Sequence, residues 1–208
     1  MTQYERMVAG RIYDPADEEI MREQMSFLDL QWKFNRLKPS QQEEKAQYMK
    51  EVFDECGENN YIELPLHANW GGRHLHLGSG VYINFNLTLV DDGHIFIGDK
   101  AMIGPNVTIA TAGHPIEPEL RRRGLQYCKD VHIGENVWIG ANVVICPGVT
   151  IGKNSVVGAG SVVTGEVPEN VVAVGNPCRV LRPISDRDRM FYYKEEPIDW
   201  ENLGGSEA

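Results

Sequence analysis

The sequence predicts a mainly β fold: a three-sided coil of short parallel strands, preceded by a helical segment and interrupted by one extruded loop. Three observations predict it. Aliphatic residues recur at every sixth position, without a break, at Ile133, Ile139, Ile145, Ile151, Val157 and Val163. The same signature runs through Leu77, Ile83, Leu89, Ile97, Ile103 and, more weakly, Ile109, with two extra residues between Leu89 and Ile97. Gly or another turn residue follows these aliphatics, as at Gly134, Gly140, Gly152 and Gly158.

A six-residue period fits neither a helix nor simple strand alternation. It fits a chain that bends at every sixth residue. Three such sides close a coil of about eighteen residues, and coils stack about 4.8 Å apart as parallel strands. The aliphatics then fill the axis, and Gly or Asn at the corners tolerates positive φ. Repeats of this kind resemble the left-handed parallel β-helix. That hand opposes the usual right-handed crossover, so it is implied by the resemblance and not by the spacing. A β-sandwich has no reason to keep six-residue spacing over so many units.

Residues 1–60 read as a helical segment. Ile20, Met25, Phe27, Leu28, Trp32 and Leu37 lie in a stretch free of Gly and Pro, and Asp17-Glu18-Glu19 suits a first helical turn. Pro39-Ser40 breaks that helix. Ser40 is then expected to cap a second one, with Glu43 completing a capping box, running to about Cys56. The pair is expected to cover an open end of the coil.

Residues 61–182 form the coil domain, with 61–76 leading in. The hexads fail after Gly113. Continuing them would put Pro115, Arg121 and Tyr127 on the axis, and an unpaired buried Arg costs several kcal/mol. Residues of about 114–130 are therefore expected to leave as a loop. The two extra residues near Asp91-Asp92-Gly93 are expected to bulge outward. Residues 169–182 cross the coil end, and the acidic tail, 183–208, is expected to fray.

Composition narrows the function. The chain has 208 residues, a net charge of −10, 42% apolar and 24% charged residues. No apolar run reaches the roughly 20 residues of a membrane helix, and Met1 to Arg11 has no signal-peptide core. A cytoplasmic protein with no membrane partner is expected. Residues 1–60 carry about −5, the tail about −4 and the coil about −1. Such a chain has no basic face for nucleic acid, and Arg121-Arg122-Arg123 reads as a solvated loop. The four cysteines form no Cys-x-x-Cys pair and read as reduced thiols.

Few residues could carry chemistry. His114 stands between Gly113 and Pro115 at the loop's root, where Pro pins the backbone. A neutral imidazole is a suitable general base for a hydroxyl. Asn84 and Asn86 flank Phe85, and in an extended segment both amides share a face. Asp92, in the expected bulge, could accept hydrogen bonds from a polyol. His74-x-His76 is the best metal-binding pair, but no third ligand has suitable spacing, and no metal is expected.

Several pieces together carry a resemblance. They are Asn84-Phe85-Asn86, Asp91-Asp92, Ile103-Gly104-Pro105-Asn106-Val107, Gly113-His114-Pro115, Ile133 to Gly140, and Gly175-Asn176-Pro177-Cys178-Arg179-Val180. With Met7 to Tyr13, they resemble the maltose and galactoside O-acetyltransferases. The likeness runs to about residue 193.

The resemblance implies acetyl transfer from acetyl-CoA to a sugar hydroxyl in a homotrimer with sites between neighbouring coils. It implies His114 as base and Asn84 beside the thioester. It places Ala141, Ala159, Thr164 and Gly165 along the pantetheine channel and Arg179 and Arg182 near the nucleotide. Trp138 falls near the site. Asn69, Asp92 and either Asp17 or Asp14 fall on the acceptor side. Gly165 departs from the pattern, since relatives commonly carry Lys there. A non-sugar or lipo-oligosaccharide acceptor, or a non-catalytic trimeric scaffold, are the alternative readings.

Overall fold

The computed structural model describes residues 1–203; the Gly-rich end of the tail lies outside the described residues. Five complete coils carry three strands each. The first holds β1 (Glu55–Cys56), β2 (Tyr61–Ile62) and β3 (Leu66–Ala68). The second holds β4 (Leu75–Leu77), β5 (Tyr82–Ile83) and β6 (Leu87–Val90), the third β7 (Ile95–Ile97), β8 (Met102–Ile103) and β9 (Thr108–Ala110). An arm of β10 (Ala112–Gly113) and β11 (Tyr127–Cys128) then leaves the coil. The fourth coil holds β12 (Val131–Ile133), β13 (Trp138–Ile139) and β14 (Val144–Ile145). The fifth holds β15 (Thr150–Ile151), β16 (Val156–Val157) and β17 (Val162–Val163). A partial sixth coil adds β18 (Val171–Val174), and β19 (Arg179–Pro183) returns antiparallel beside it.

The strands make three faces: β1-β4-β7-β12-β15, β2-β5-β8-β13-β16-β18-β19, and β3-β6-β9-β14-β17. Register follows the hexads. Leu77, Ile97, Ile133 and Ile151 stack on one side of the axis, and Ile83, Ile103, Ile139 and Val157 on the next. These aliphatics are almost fully buried. Hydrophobic burial along this continuous axis, about 25 cal/mol per Å² of apolar surface, is what holds the coils together.

Positive φ at the corners falls on Asn and Gly as expected, with Gly80, Gly148 and Gly160 at 69°, 79° and 72°. Asn86, Asn106, Asn136, Asn142, Asn154 and Asn170 all lie between 54° and 60°. Their amides form ladders, as from Asn136 to Asn154 (3.1 Å) and Asn154 to Asn170 (3.0 Å). The glycines that follow the axial aliphatics serve the stacking instead. A Cβ on Gly134 would lie 2.6 Å from the Lys153 nitrogen of the next coil.

Three expectations about the ends need correction. The coil starts at Glu55, one turn earlier than the hexad run suggested, because Cys56, Ile62 and Ala68 already occupy axial positions beneath Leu77, Ile83 and Leu89. Helix α2 (Glu18–Phe34) is capped by Asp17, but α3 (Gln42–Val52) starts at Gln41 without a side-chain cap, so Ser40 does not close the box. A further helix, α1 (Gln3–Val8), is closed by a Thr2–Glu5 capping box. Beyond Pro183 the chain forms α5 (Asp186–Met190) and an exposed hairpin of β20 (Phe191–Tyr193) and β21 (Glu196–Pro197) rather than fraying at once.

The helical segment covers two places. Phe34, Tyr48, Met49 and Val52 join the axial core at the open end. Met7, Tyr13 and Ile20 cluster with Trp70 and Cys128 at the arm's root. The arm carries a short helix at its tip, α4 (Pro118–Arg122), where Arg121 is solvated and donates to the Ile116 carbonyl. No helix among the described residues is long and apolar enough to cross a membrane.

Candidate active site

Two groups of candidate residues lie on different parts of the chain. The first is a groove of about 490 Å³ across the sheet of β5, β8, β13 and β16. Asn84, Trp138, Ala141 and Ala159 all line it, with Met102 and Pro105 among the other walls. Trp138 stands outward on β13 and is 51% exposed. It can stand there because its neighbour Ile139 takes the inward position.

Asn84 does not share a face with Asn86. The segment turns at Asn86, whose φ is +60°, so strand alternation ends before it. Asn86 joins the corner ladder with Asn106, while Asn84 faces the groove. Asn84 Oδ1 accepts from the Phe85 backbone nitrogen at 2.7 Å. That bond orients the side chain and leaves its NH₂ as the group able to donate to a ligand.

The same sheet continues past β16 to β18 and β19, the strand that carries Arg179 and Arg182. From β5 to β19 the rungs span about 24 Å at their usual spacing. Arg179 donates to its neighbouring Cys178 carbonyl. Arg182 is forked onto Asp188 by two 2.7 Å bonds, which hold the Asp188 carboxyl well below the usual carboxylate range. Thr164 and Gly165 form the exposed turn after β17, and a Cβ on Gly165 would meet nothing within 4 Å.

The second group surrounds His114, which is not among the groove's lining residues. The arm folds back as a hairpin, pairing Gly113 with Tyr127. This brings Leu125 and Gln126 beside the imidazole, two residues that spacing alone did not single out. His114 Nδ1 lies 2.9 Å from the Leu125 carbonyl oxygen, and Nε2 lies 3.4 Å from Gln126 Nε2. A carbonyl only accepts, so Nδ1 bears the proton and Nε2 keeps its lone pair in the neutral ring.

From Gln126 the contacts run inward. Tyr13 Oη lies 2.8 Å from Gln126 Oε1 and 3.2 Å from Asp92 Oδ1, and Asn69 donates to Asp92 Oδ2 at 3.0 Å. Burial, with the Asp92 carboxylate beside it, pushes the Tyr13 phenol far up, so it stays a donor. Asp92 is therefore not on an outward bulge. Both it and Asp91 are buried under the N-terminal segment. Asp91 accepts from the Trp70 and Gly72 nitrogens at 2.8 and 2.9 Å. The two extra residues fold inward because the Asp91 carboxyl satisfies backbone donors that would otherwise be orphaned, while Asp92 is held by the Tyr13 hydroxyl and the Asn69 amide.

Asp17 caps α2, accepting from Glu19 and Ile20, and Asp14 accepts from Ala16. Both carboxylates thus hold local backbone. His74 and His76 both pack their rings against His94, at 5.3 and 5.0 Å, but they are held differently: His74 is buried with Nδ1 at 2.6 Å from the Asp91 carbonyl, while His76 is half-buried with Nε2 at 2.8 Å from His94 Nδ1. All four cysteines are free, and burial pushes the Cys128 thiol up to about 12, an unreactive state.

Comparison with known proteins places this geometry. Residues 130–165 match the family model described as bacterial transferase hexapeptide (six repeats), and residues 6–57 match the maltose acetyltransferase hexapeptide capping motif. The chain is 51% identical to a galactoside O-acetyltransferase of Lactococcus lactis over 94% of this chain and 95% of that protein. A solved galactoside acetyltransferase in complex with coenzyme A superposes with a TM-score of 0.91 at 45% identity, covering 96% of this chain and 99% of the other. A maltose O-acetyltransferase from Clostridium difficile 630 superposes with a TM-score of 0.87 at 40% identity, covering 89% and 98%. On this likeness over nearly its whole length, the chain belongs to the maltose and galactoside O-acetyltransferase family of hexapeptide-repeat proteins.

Proposed function

We propose that the protein transfers the acetyl group of acetyl-CoA to a hydroxyl of a sugar, in a homotrimer whose active sites form between neighbouring coils. One observation carries the reading: a single sheet holds the Asn84–Trp138–Ala141–Ala159 groove and ends in two arginines. A groove of this length suits a long, thin cosubstrate, and guanidinium groups suit its phosphates. His114 stands off the groove of its own chain, on the arm, where it can serve the groove of a neighbour.

The reaction follows from the ring's tautomer. His114 Nε2 takes the hydroxyl proton as the sugar oxygen attacks the thioester carbonyl. The Asn84 NH₂ donates to the oxyanion of the tetrahedral intermediate. The C–S bond then breaks, and His114 returns the proton to the departing thiolate. Products are the sugar acetate ester and CoA thiol. Gln126, Tyr13, Asp92 and Asn69 form the polar wall on the hydroxyl's side of the imidazole.

The test is thiol release from acetyl-CoA across a panel of maltose, glucose, galactosides, lipo-oligosaccharides and amines. Release that depends on an added simple sugar supports the reading. Release only with an amine or a lipo-oligosaccharide moves the acceptor class, and no release with any acceptor favours a scaffold.

A further inference from the structure

At the capped end of the β1-β4-β7-β12-β15 face, three potential metal donors converge. Asp54 Oδ2, His76 Nε2 and His94 Nδ1 lie within 4.8 Å of one another. The separations are 2.8 Å between the two imidazole nitrogens, 3.4 Å from Asp54 to His76 and 3.6 Å from Asp54 to His94. A triangle of those edges has a circumradius of about 1.9 Å. An ion about 0.7 Å above its plane would sit about 2.0 Å from all three atoms, the bond length Zn²⁺ takes to His and carboxylate ligands, with the offset expected of a tetrahedral centre.

The donors are held before any ion arrives. His76 lies within β4, between Glu55 of β1 and Phe96 of β7, and its ring stacks on Phe96 at 4.2 Å. The Asp54 nitrogen donates to the Leu75 carbonyl, and the His94 nitrogen donates to the Asp130 carboxylate. The surroundings also suit a metal. Arg73 holds the other oxygen of Asp54 at 3.2 Å, which aims Oδ2 at the imidazoles. His76 Nδ1 is buried without a hydrogen bond, yet Glu55 Oε2 lies 3.2 Å away, outside bonding geometry. A small rotation of the exposed Glu55 side chain would give the carboxylate–histidine–metal arrangement that tunes such ligands.

We infer that Asp54, His76 and His94 bind one divalent ion of the Zn²⁺ type, with a fourth position open to water. Neutral imidazoles with one carboxylate favour Zn²⁺, Ni²⁺ or Cu²⁺ over Mg²⁺ and Ca²⁺. The ion joins Asp54, in the link between α3 and β1, to the second and third coils. Its role is to clip the helical cap onto the solenoid, and acyl transfer does not pass through it.

The test uses the full chain without a histidine tag, stripped with a chelator and titrated with ZnCl₂ by calorimetry. Binding of one Zn²⁺ per chain is expected, with a rise in Tm. Co²⁺ in place of Zn²⁺ should give the visible absorption of a tetrahedral site. Asp54→Asn and His94→Ala should each weaken Zn²⁺ binding by about tenfold or more and remove the Tm rise, while the metal-free variants keep the wild-type circular dichroism. Should His94→Ala fold poorly, Asp54→Asn decides alone. No stoichiometric Zn²⁺ binding, binding that both variants leave unchanged, or equal uptake of Mg²⁺ would each overturn the inference.

Discussion

The Leu125 carbonyl oxygen sits 2.9 Å from Nδ1 of His114 and thereby selects the imidazole nitrogen that can act as a base. The contact exists because the arm returns on itself as a hairpin, so a backbone acceptor eleven residues away in sequence supports the ring. Loss of the ring should remove the base without touching the axial core. His114→Ala is expected to lower kcat by about 10²- to 10⁴-fold with an unchanged thermal transition. Steady-state kinetics beside a melting curve check this, and full retained activity would reject the base.

Arg182 should affect the cosubstrate more than the sugar. Arg182→Ala is expected to raise KM for acetyl-CoA by about tenfold or more, in line with about 1.5–3 kcal/mol for a hydrogen bond to a charged group, with little change in KM for the sugar. Asp188 competes for the same guanidinium. Asp188→Asn should therefore lower KM for acetyl-CoA. A shift in the sugar KM alone would remove the arginine from the nucleotide end.

Gly165 leaves room for a cation. Nothing lies within 4 Å of a Cβ built there, and its φ is not in the left-handed region. Gly165→Lys is expected to fold normally and to lower KM for acetyl-CoA by a few-fold, as an exposed charge interaction of up to about 1 kcal/mol allows. Increasing salt should erase the gain. An unchanged KM at low salt would place this turn away from the cosubstrate.

Asp91 gives the fold a pH signature. Burial pushes its carboxyl up to about 7, against the pull of the backbone donors of Trp70 and Gly72. The folded state then binds more protons than the unfolded state between about pH 4 and 7. Asp91 thus contributes stability at low pH that is lost as pH rises through about 7. Asp91→Asn sets an NH₂ against a backbone N–H and should destabilise by about 1–3 kcal/mol. The Tm gap between wild type and this variant should narrow from pH 5 to pH 8. A gap that widens with pH contradicts the protonated buried carboxyl.

Much of the architecture was readable because a solenoid repeats one physical requirement, an inward aliphatic at each side. Ile133 to Val163 state it six times, and the structure stacks them as the period implies. The first coil was hidden although Cys56, Ile62 and Ala68 keep the spacing. A thiol and a methyl replace larger side chains, and the longer connection before Leu77 interrupts the count. The inward turn of Asp91 and Asp92 was unreadable for another reason: it depends on Trp70, Gly72 and Tyr13, which are distant in sequence. The groove residues could be named from the resemblance, whereas Leu125 and Gln126 needed the arm's pairing to bring them to His114.

The central claim is that one protomer's imidazole serves another protomer's groove, and subunit complementation tests it directly. Ala159→Trp fills the groove, His114→Ala removes the base, and each homotrimer alone should be inactive. Co-expressed in equal amounts, the two chains should assemble mixed trimers in which about one site in four joins an intact groove to an intact His114. Recovery of about a quarter of the wild-type thiol-release rate is the expected result. Mixed trimers as inactive as either parent would show that each site is built within a single chain.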